Sequence, residues 1–229
     1  MVKHEVFSYL GTAIVNVACL CVELFFNGLE VSMDGRIGKC SRKTNETNIC
    51  ITINLDGQGN GQIDTGIGFF DHMLNSFARH GLFDLEVKVK GDLDIDCHHT
   101  VEDTGIVLGK AIADALGDKK GINRYGDILL PMDESLALCA IDLSGRAFLV
   151  FNCDFTAESI GDLKTEMIKE FFYAVSCSSG MNLHLKMLDG SNNHHMAEAL
   201  FKGFGRALSM AVEKKPRLNQ VWSTKGSLA

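Results

Sequence analysis

From Ile49 to Leu55 apolar residues occupy every second position (Ile49, Ile51, Ile53, Leu55), and Asp56-Gly57 follows as a turn. That period of two predicts a strand with one buried face. The pattern then changes. Between Ile67 and Arg79 the residues Phe69, Phe70, Met73, Leu74 and Phe77 recur at helical spacing, with His72 among them and Gly81 ending the run. Leu85, Val87 and Val89 alternate with Glu86, Lys88 and Lys90 as a half-exposed strand. A helix opens at His98 and runs to about Leu116, where Gly117 stops it.

The same order then comes round again. Two strand candidates, Leu136 to Leu143 and Ala147 to Phe151, meet at Ser144-Gly145, which predicts a tight hairpin. A helix from about Leu163 to Cys177 ends near Gly180, Leu183 to Met187 alternates, and His194-His195 opens a helix to about Val212. Gly81 to Gly91 and Gly180 to Gly190 are equally spaced. This is an internal duplication of a strand-and-helix unit, far longer than a solenoid repeat. It predicts an α+β fold of two similar halves, about residues 36–125 and 126–229, each a mostly antiparallel sheet covered by helices.

Both copies carry the same chemistry. His98-His99-Thr100-Val101-Glu102-Asp103 and His194-His195-Met196-Ala197-Glu198 each read His-His-x-x-Glu. In a helix, His98 and Glu102 share a face and can close on one divalent ion, as can His194 and Glu198. His99 and His195 are turned aside by about 100°. If the copies face each other, each lends its odd histidine to the other's ion: His98, Glu102 and His195 around one, His194, Glu198 and His99 around the other. His72 and Glu170 occupy nearly matching places in the helix before each repeat's strand, and by pseudo-symmetry they are the next ligands. Imidazole with carboxylate suits manganese, iron, zinc or nickel, and the spacing does not choose among them.

Composition narrows the classes. At 229 residues with 46% hydrophobic content the chain has ample material for a buried core. Twenty-two Lys and Arg against 29 Asp and Glu, a net charge of −7, argue against a general nucleic-acid role. An anionic substrate would therefore need a local basic cluster. Eight scattered cysteines without a C-x-x-C pair read as reduced thiols of a cytoplasmic protein. Cys97, beside His98, is weighed as a soft ligand against the blander reading of a filler thiol.

Residues 1–35 differ from the rest. Val6 to Phe26 is mostly apolar and only marginally long enough to span a bilayer. Leu29-Glu30-Val31-Ser32 precedes Met33, and codons for Leu-Glu-Val can contain a purine-rich bacterial ribosome-binding sequence. The expectation is a true start at Met33, with no membrane association; a product of intact mass beginning at Met1 would sink it.

Lys43-Thr44-Asn45-Glu46-Thr47, the run Asp64 to Met73 (DTGIGFFDHM), the HHTVED segment, Pro131-Met132-Asp133-Glu134, Asp142-Leu143-Ser144-Gly145-Arg146, the HHMAE segment and Ser223-Thr224-Lys225-Gly226 together resemble the imidazoleglycerol-phosphate dehydratase family. The likeness runs from about Arg36 to the C-terminus. It implies a lyase of histidine biosynthesis that removes water from imidazoleglycerol phosphate to give imidazole-acetol phosphate, with two Mn2+ per active site and a homo-oligomeric shell of 24 copies. It implies that His72, His99, His194 and Glu198 bind one ion, and His98, Glu102, Glu170 and His195 the other. Glu170 departs from the family, where histidine is frequent at that position. The resemblance further implies substrate contacts from Glu46, His72, His80 and His98. Phosphate contacts are implied for Arg124, Arg146, Lys202, Ser223, Thr224 and Lys225. Glu46, Glu102 and Glu198 become the candidate catalytic carboxylates, because a carbon-bound proton must leave and a hydroxide must depart. A di-metal phosphate-ester hydrolase and a non-catalytic metal-binding shell subunit are the competing readings. Near-equivalent ligand halves suit a ring with two nitrogens, and the basic cluster suits a phosphate, so the dehydratase is preferred.

Overall fold

The first half builds β1 (Ile37–Lys43), β2 (Thr47–Asn54), β3 (Gly61–Asp64), α1 (Gly68–Gly81), β4 (Asp84–Gly91) and α2 (His98–Leu116). The second builds β5 (Tyr125–Met132), β6 (Ser135–Asp142), β7 (Phe148–Asn152), a short ribbon of β8 (Ser159–Ile160) and β9 (Leu163–Lys164), then α3 (Glu166–Ser179), β10 (Asn182–Asp189) and α4 (Asn193–Val212). This computed structural model describes residues 35–228. Arg36–Ala229 forms one compact unit. The expectations for the apolar run and the start at Met33 fall outside the described residues.

The duplication is visible strand by strand. The sheets have the orders β1-β2-β4-β3 and β5-β6-β10-β7, each with two antiparallel ladders and one parallel ladder at the edge. Helix α2 lies on β1 and β2, and α4 on β5 and β6. Close backbone approach marks both contacts. A Cβ on Gly38 would run into the carbonyl of Ala111, and one on Gly126 into that of Ala207, so glycine is required at the same point of each first strand.

The helices also fuse the halves. α2 packs on α3 and α1 on α4. Gly109 sits against the Val175 carbonyl and Gly205 against that of Phe77. Phe70 meets Phe171 edge-on at 5.2 Å, Phe171 stacks on Phe201 at 5.3 Å, and Phe77 stacks on Phe204 at 5.0 Å. These rings are fully buried, each contributing about 1.5–3 kcal/mol of transfer free energy. One aromatic core therefore holds α1 of the first half against α4 of the second.

The predicted hairpin at Ser144-Gly145 is corrected. Gly145 does adopt φ 86°, so a turn is present, but β6 and β7 are not neighbours: β10 lies between them, antiparallel to β6 and parallel to β7. Turn residues set a local reversal and say nothing about which strand fills the gap. β1 and β5 were not foreseen either. In β1 only Gly38 is buried, so its alternation carries no apolar signal.

Candidate metal centre and anion cleft

A side chain two residues before each histidine pair holds both His-His helix starts, as the N-cap in α4 and one residue ahead of the N-cap in α2. Asn192 Oδ1 accepts from the backbone N–H of His194 (2.9 Å) and His195 (3.3 Å). At the matching position Asp96 Oδ1 accepts from His98 N–H at 2.7 Å. Such caps satisfy the free amides of a first helical turn. They also fix where the imidazoles leave the backbone.

The i,i+4 geometry is as the sequence predicts. His98 Nε2 lies 3.7 Å from Glu102 Oε2, and His194 Nε2 lies 3.6 Å from Glu198 Oε2. His72, from α1, reaches the second pair with its Nε2 3.8 Å from Glu198 Oε1. His72, His194 and Glu198 are the one three-residue donor group of this kind among the described residues, with ligand atoms all within 4.8 Å of one another. An ion held at about 2.0–2.2 Å by each donor needs them roughly 3–3.6 Å apart, so a small contraction closes the set. Two imidazoles and a carboxylate fit manganese, iron or zinc.

Other predicted ligands are not gathered there. His99 and His195, the odd histidines, each point to a carboxylate within the chain. His99 Nδ1 is 3.0 Å from Asp92 Oδ2, and His195 Nδ1 is 2.8 Å from Glu134 Oε2. These contacts raise the pKa of both rings. They also favour the tautomer with hydrogen on Nδ1, which leaves Nε2 with a lone pair for a cation. Facing each Nε2 is one more carboxylate oxygen: Glu46 Oε1 at 3.8 Å from His99, Asp133 Oδ2 at 3.7 Å from His195. Glu170 is half-buried on α3, and neither it nor His195 forms a three-residue group with His98 and Glu102. Cys97 is buried at the start of α2, also outside the donor group.

Glu198 is the most sheltered carboxylate of the group, at 8% exposure. Burial works against its charged form, yet Lys202 Nζ at 2.8 Å, with His72 and His194, holds its pKa below the ordinary value. The resemblance gives Lys202 to the phosphate; within the chain it pairs with Glu198 and lies 3.6 Å from Met132 Sδ. His80, largely exposed at the end of α1, has its pKa lowered by partial desolvation of the ring and by the nearby Lys202.

The remaining cations do converge. Arg124, Arg146, Ser223, Thr224 and Lys225 line one cleft of about 570 Å³ with Tyr125 and Trp222. Arg124 is fixed there by paired bonds to Asp142 (2.6 and 3.0 Å) and by donation to the Trp222 carbonyl at 2.8 Å. Its guanidinium also lies 4.7 Å over the Tyr125 ring. Asp142 holds the Arg124 pKa above its ordinary value. A fixed guanidinium with a second one, an ammonium and two hydroxyls offers the donors that a phosphate-like anion would need. Sequence reasoning missed Asp92, Glu134 and the two capping residues. The caps had a signal, an Asp or Asn two residues before each histidine pair; Glu134 lay in the Pro131–Glu134 motif with no role attached, and Asp92 had no signal, because tertiary folding brings both carboxylates to their histidines.

A duplicated α+β unit whose matching helices open on His-His-x-x-Glu, joined by a two-histidine, one-carboxylate donor set able to hold a cation, defines a class of protein made by internal repetition. The sequence profile of imidazoleglycerol-phosphate dehydratase matches residues 65–208. The curated imidazoleglycerol-phosphate dehydratase of Lachnoclostridium phytofermentans is 61% identical over 193 residues, 84% of this chain and 98% of its own. That of Acetivibrio thermocellus is 60% identical over 188 residues, 82% and 96% of the two chains. The crystal structure of the Staphylococcus aureus dehydratase superposes with a TM-score of 0.71 at 38% identity, covering 78% of this chain and 99% of that one. IGPD from Pyrococcus furiosus does so with a TM-score of 0.72 at 34% identity, covering 82% and 99%. The chain belongs to the imidazoleglycerol-phosphate dehydratase family. Among the described residues no helix is long and apolar enough to cross a membrane.

Proposed function

We propose that this chain dehydrates D-erythro-imidazoleglycerol phosphate to imidazole-acetol phosphate and water in L-histidine biosynthesis, using two Mn2+ per active site in a cytoplasmic homo-oligomer of 24 copies. Its family makes it a hydro-lyase of that pathway. The observation that carries the metal reading is the donor trio of His72, His194 and Glu198. Bound cations would supply positive charge against the charge that develops on the imidazole ring as its neighbouring carbon loses a proton.

The chain's own groups divide the remaining work. His72, His99, His194 and Glu198 hold one ion, and His98, Glu102, Glu170 and His195 the other. Arg124, Arg146, Ser223, Thr224 and Lys225 hold the phosphate, and Lys202 joins them from its place beside Glu198. His80 lies next to Lys202 and contributes to substrate binding. Glu46, standing free beside His99, exchanges a proton with the substrate. Support for assembly comes from the incomplete trio: His99 is engaged elsewhere in its own chain, so a second copy is the natural source of the fourth ligand. The described cysteines are all free thiols, which fits a reducing compartment.

Metal-stripped protein, given manganese and imidazoleglycerol phosphate, tests the reading when the enolisable ketone and free phosphate are followed together. Metal-dependent ketone without phosphate supports the dehydratase. Phosphate release would make the chain a hydrolase, and neither product from folded, metal-loaded protein would leave a shell subunit.

A further inference from the structure

The HHTVED segment ends in a charged residue that no role above uses. Asp103 lies inside α2 at 6% exposure. A buried carboxylate is costly unless it is paired and hydrogen-bonded. Asp103 is both: its Oδ2 accepts from Thr47 Oγ1 at 2.6 Å and pairs with the Arg42 guanidinium. The second half manages without it. The corresponding residue, five past the first histidine of its pair, is Ala199, fully buried in α4. A helix of this kind therefore packs on its sheet with no carboxylate at that point.

Asp103 grips the turn between β1 and β2. Thr47 is buried, and its hydroxyl lies 3.3 Å from that of Thr44. Thr44 Oγ1 in turn accepts from the backbone N–H of Glu46 (3.1 Å) and of Thr47 (2.9 Å). The Glu46 side chain takes no part in this and stays 52% exposed, 3.8 Å from His99. The matching turn, between β5 and β6, is held differently. There Glu134 is itself the strut: Oε2 takes His195 Nδ1, while Oε1 accepts from Asn192 N–H at 2.8 Å and Ser191 N–H at 3.3 Å. Both turns keep an exposed acid facing an Nε2, Glu46 toward His99 and Asp133 toward His195, but the first turn is anchored from behind by Asp103 of α2 and the second by its own Glu134.

We propose that Asp103 is the positioning residue for Glu46, acting through Thr47 and Thr44 to fix the turn that presents that carboxylate to the substrate. The proposal rests on the reading of Glu46 as a proton-handling group. Its test uses the assembled, manganese-loaded enzyme with kcat, KM and bound manganese measured for E46Q, D103A, T47V and the doubles D103A/E46Q and T47V/E46Q. E46Q should lower kcat about 100-fold or more, in the range for general acid–base groups. D103A and T47V should lower kcat about 10- to 100-fold with KM within about threefold, because a slightly misplaced group fails in the transition state. Bound manganese should not change. In the E46Q background neither should cost anything further. Equal losses on top of E46Q, or full kcat in D103A and T47V, would overturn the proposal. If D103A does not fold, T47V decides alone. Full kcat in E46Q by itself would remove the Glu46 reading, and the proposal with it, and that single variant identifies which has failed.

Discussion

The two halves share a sheet order and a helix order but use one arginine differently. Arg36, just before β1, makes paired bonds to Asp56 (3.0 and 2.6 Å) and donates to the Val212 carbonyl at 2.5 Å. Arg124, just before β5, makes paired bonds to Asp142 and donates to the Trp222 carbonyl. The first is a staple between a strand start and a helix end. The second has the same bonds but lines a cleft with Arg146, Ser223, Thr224 and Lys225. Duplication thus supplied a preorganised guanidinium, and the surrounding residues decided which copy lines a cleft. The turns diverge in the same manner: Glu46 and Asp133 both stand exposed, but Asp103 of α2 anchors the first turn and Glu134 within the turn anchors the second. A repeated fold gives equivalent positions; differences one contact further out give them different tasks.

The largest effects should come from the two proposed ligands at matching positions, Glu102 and Glu198. Glu102→Gln and Glu198→Gln should each lose about half of the bound manganese and at least 100-fold in kcat. They should differ in stability. Glu198→Gln leaves the Lys202 ammonium without its partner in a sheltered place and lowers Tm, whereas Glu102, with a 42% exposed side chain, does not. Unchanged metal content in either variant refutes its place among the ligands.

Next comes the arginine pair. Arg124→Met should raise KM by about 10-fold or more with a smaller change in kcat, since a charged bond to phosphate is worth roughly 1.5–3 kcal/mol. Arg36→Met should leave KM alone and cost stability of about 1 kcal/mol, discounted for the partly exposed Asp56. Thermal denaturation and steady-state kinetics separate the two. Equal KM changes would break the comparison.

The carboxylates behind the odd histidines follow. Asp92→Asn and Glu134→Gln should weaken manganese binding by about 10-fold or more, read by titration of metal-stripped protein. Glu134→Gln should do more, because it also disturbs the support of Ser191 and Asn192.

The smallest effect concerns acid pH. The Arg36 guanidinium holds the Asp56 pKa below 3.8, with burial opposing. A lowered folded-state value means stability that is present above 3.8 and lost as pH falls through the lowered value. Tm curves of wild type and Arg36→Met should therefore differ near neutrality and converge below about pH 4; parallel curves would assign the staple another origin.

The sequence carried the parts of this picture that depend on spacing along one element. His98 with Glu102, His194 with Glu198, the helix stops at Gly117 and Gly180, and the repetition itself were all legible, since 3.6 residues per turn converts spacing into geometry. β1 was hidden because its inward residue is a glycine, chosen for close approach rather than apolarity. β7 was given the wrong neighbour because a turn does not name the strand beside it. Asp103 with Thr47, Glu134 with His195, and Lys202 with Glu198 instead of the cleft are meetings whose partners lie on elements the sequence could place but not orient.

The two His-His-x-x-Glu helices are proposed to make two ion sites, one on each. The most direct test is the stoichiometry of manganese on metal-stripped, reassembled protein, measured by elemental analysis alongside spin-resonance titration, for wild type, His98→Ala and His194→Ala. Two ions per chain are expected in the wild type and one in each variant. A wild type that takes only one ion, or variants that both keep two, would contradict that proposal.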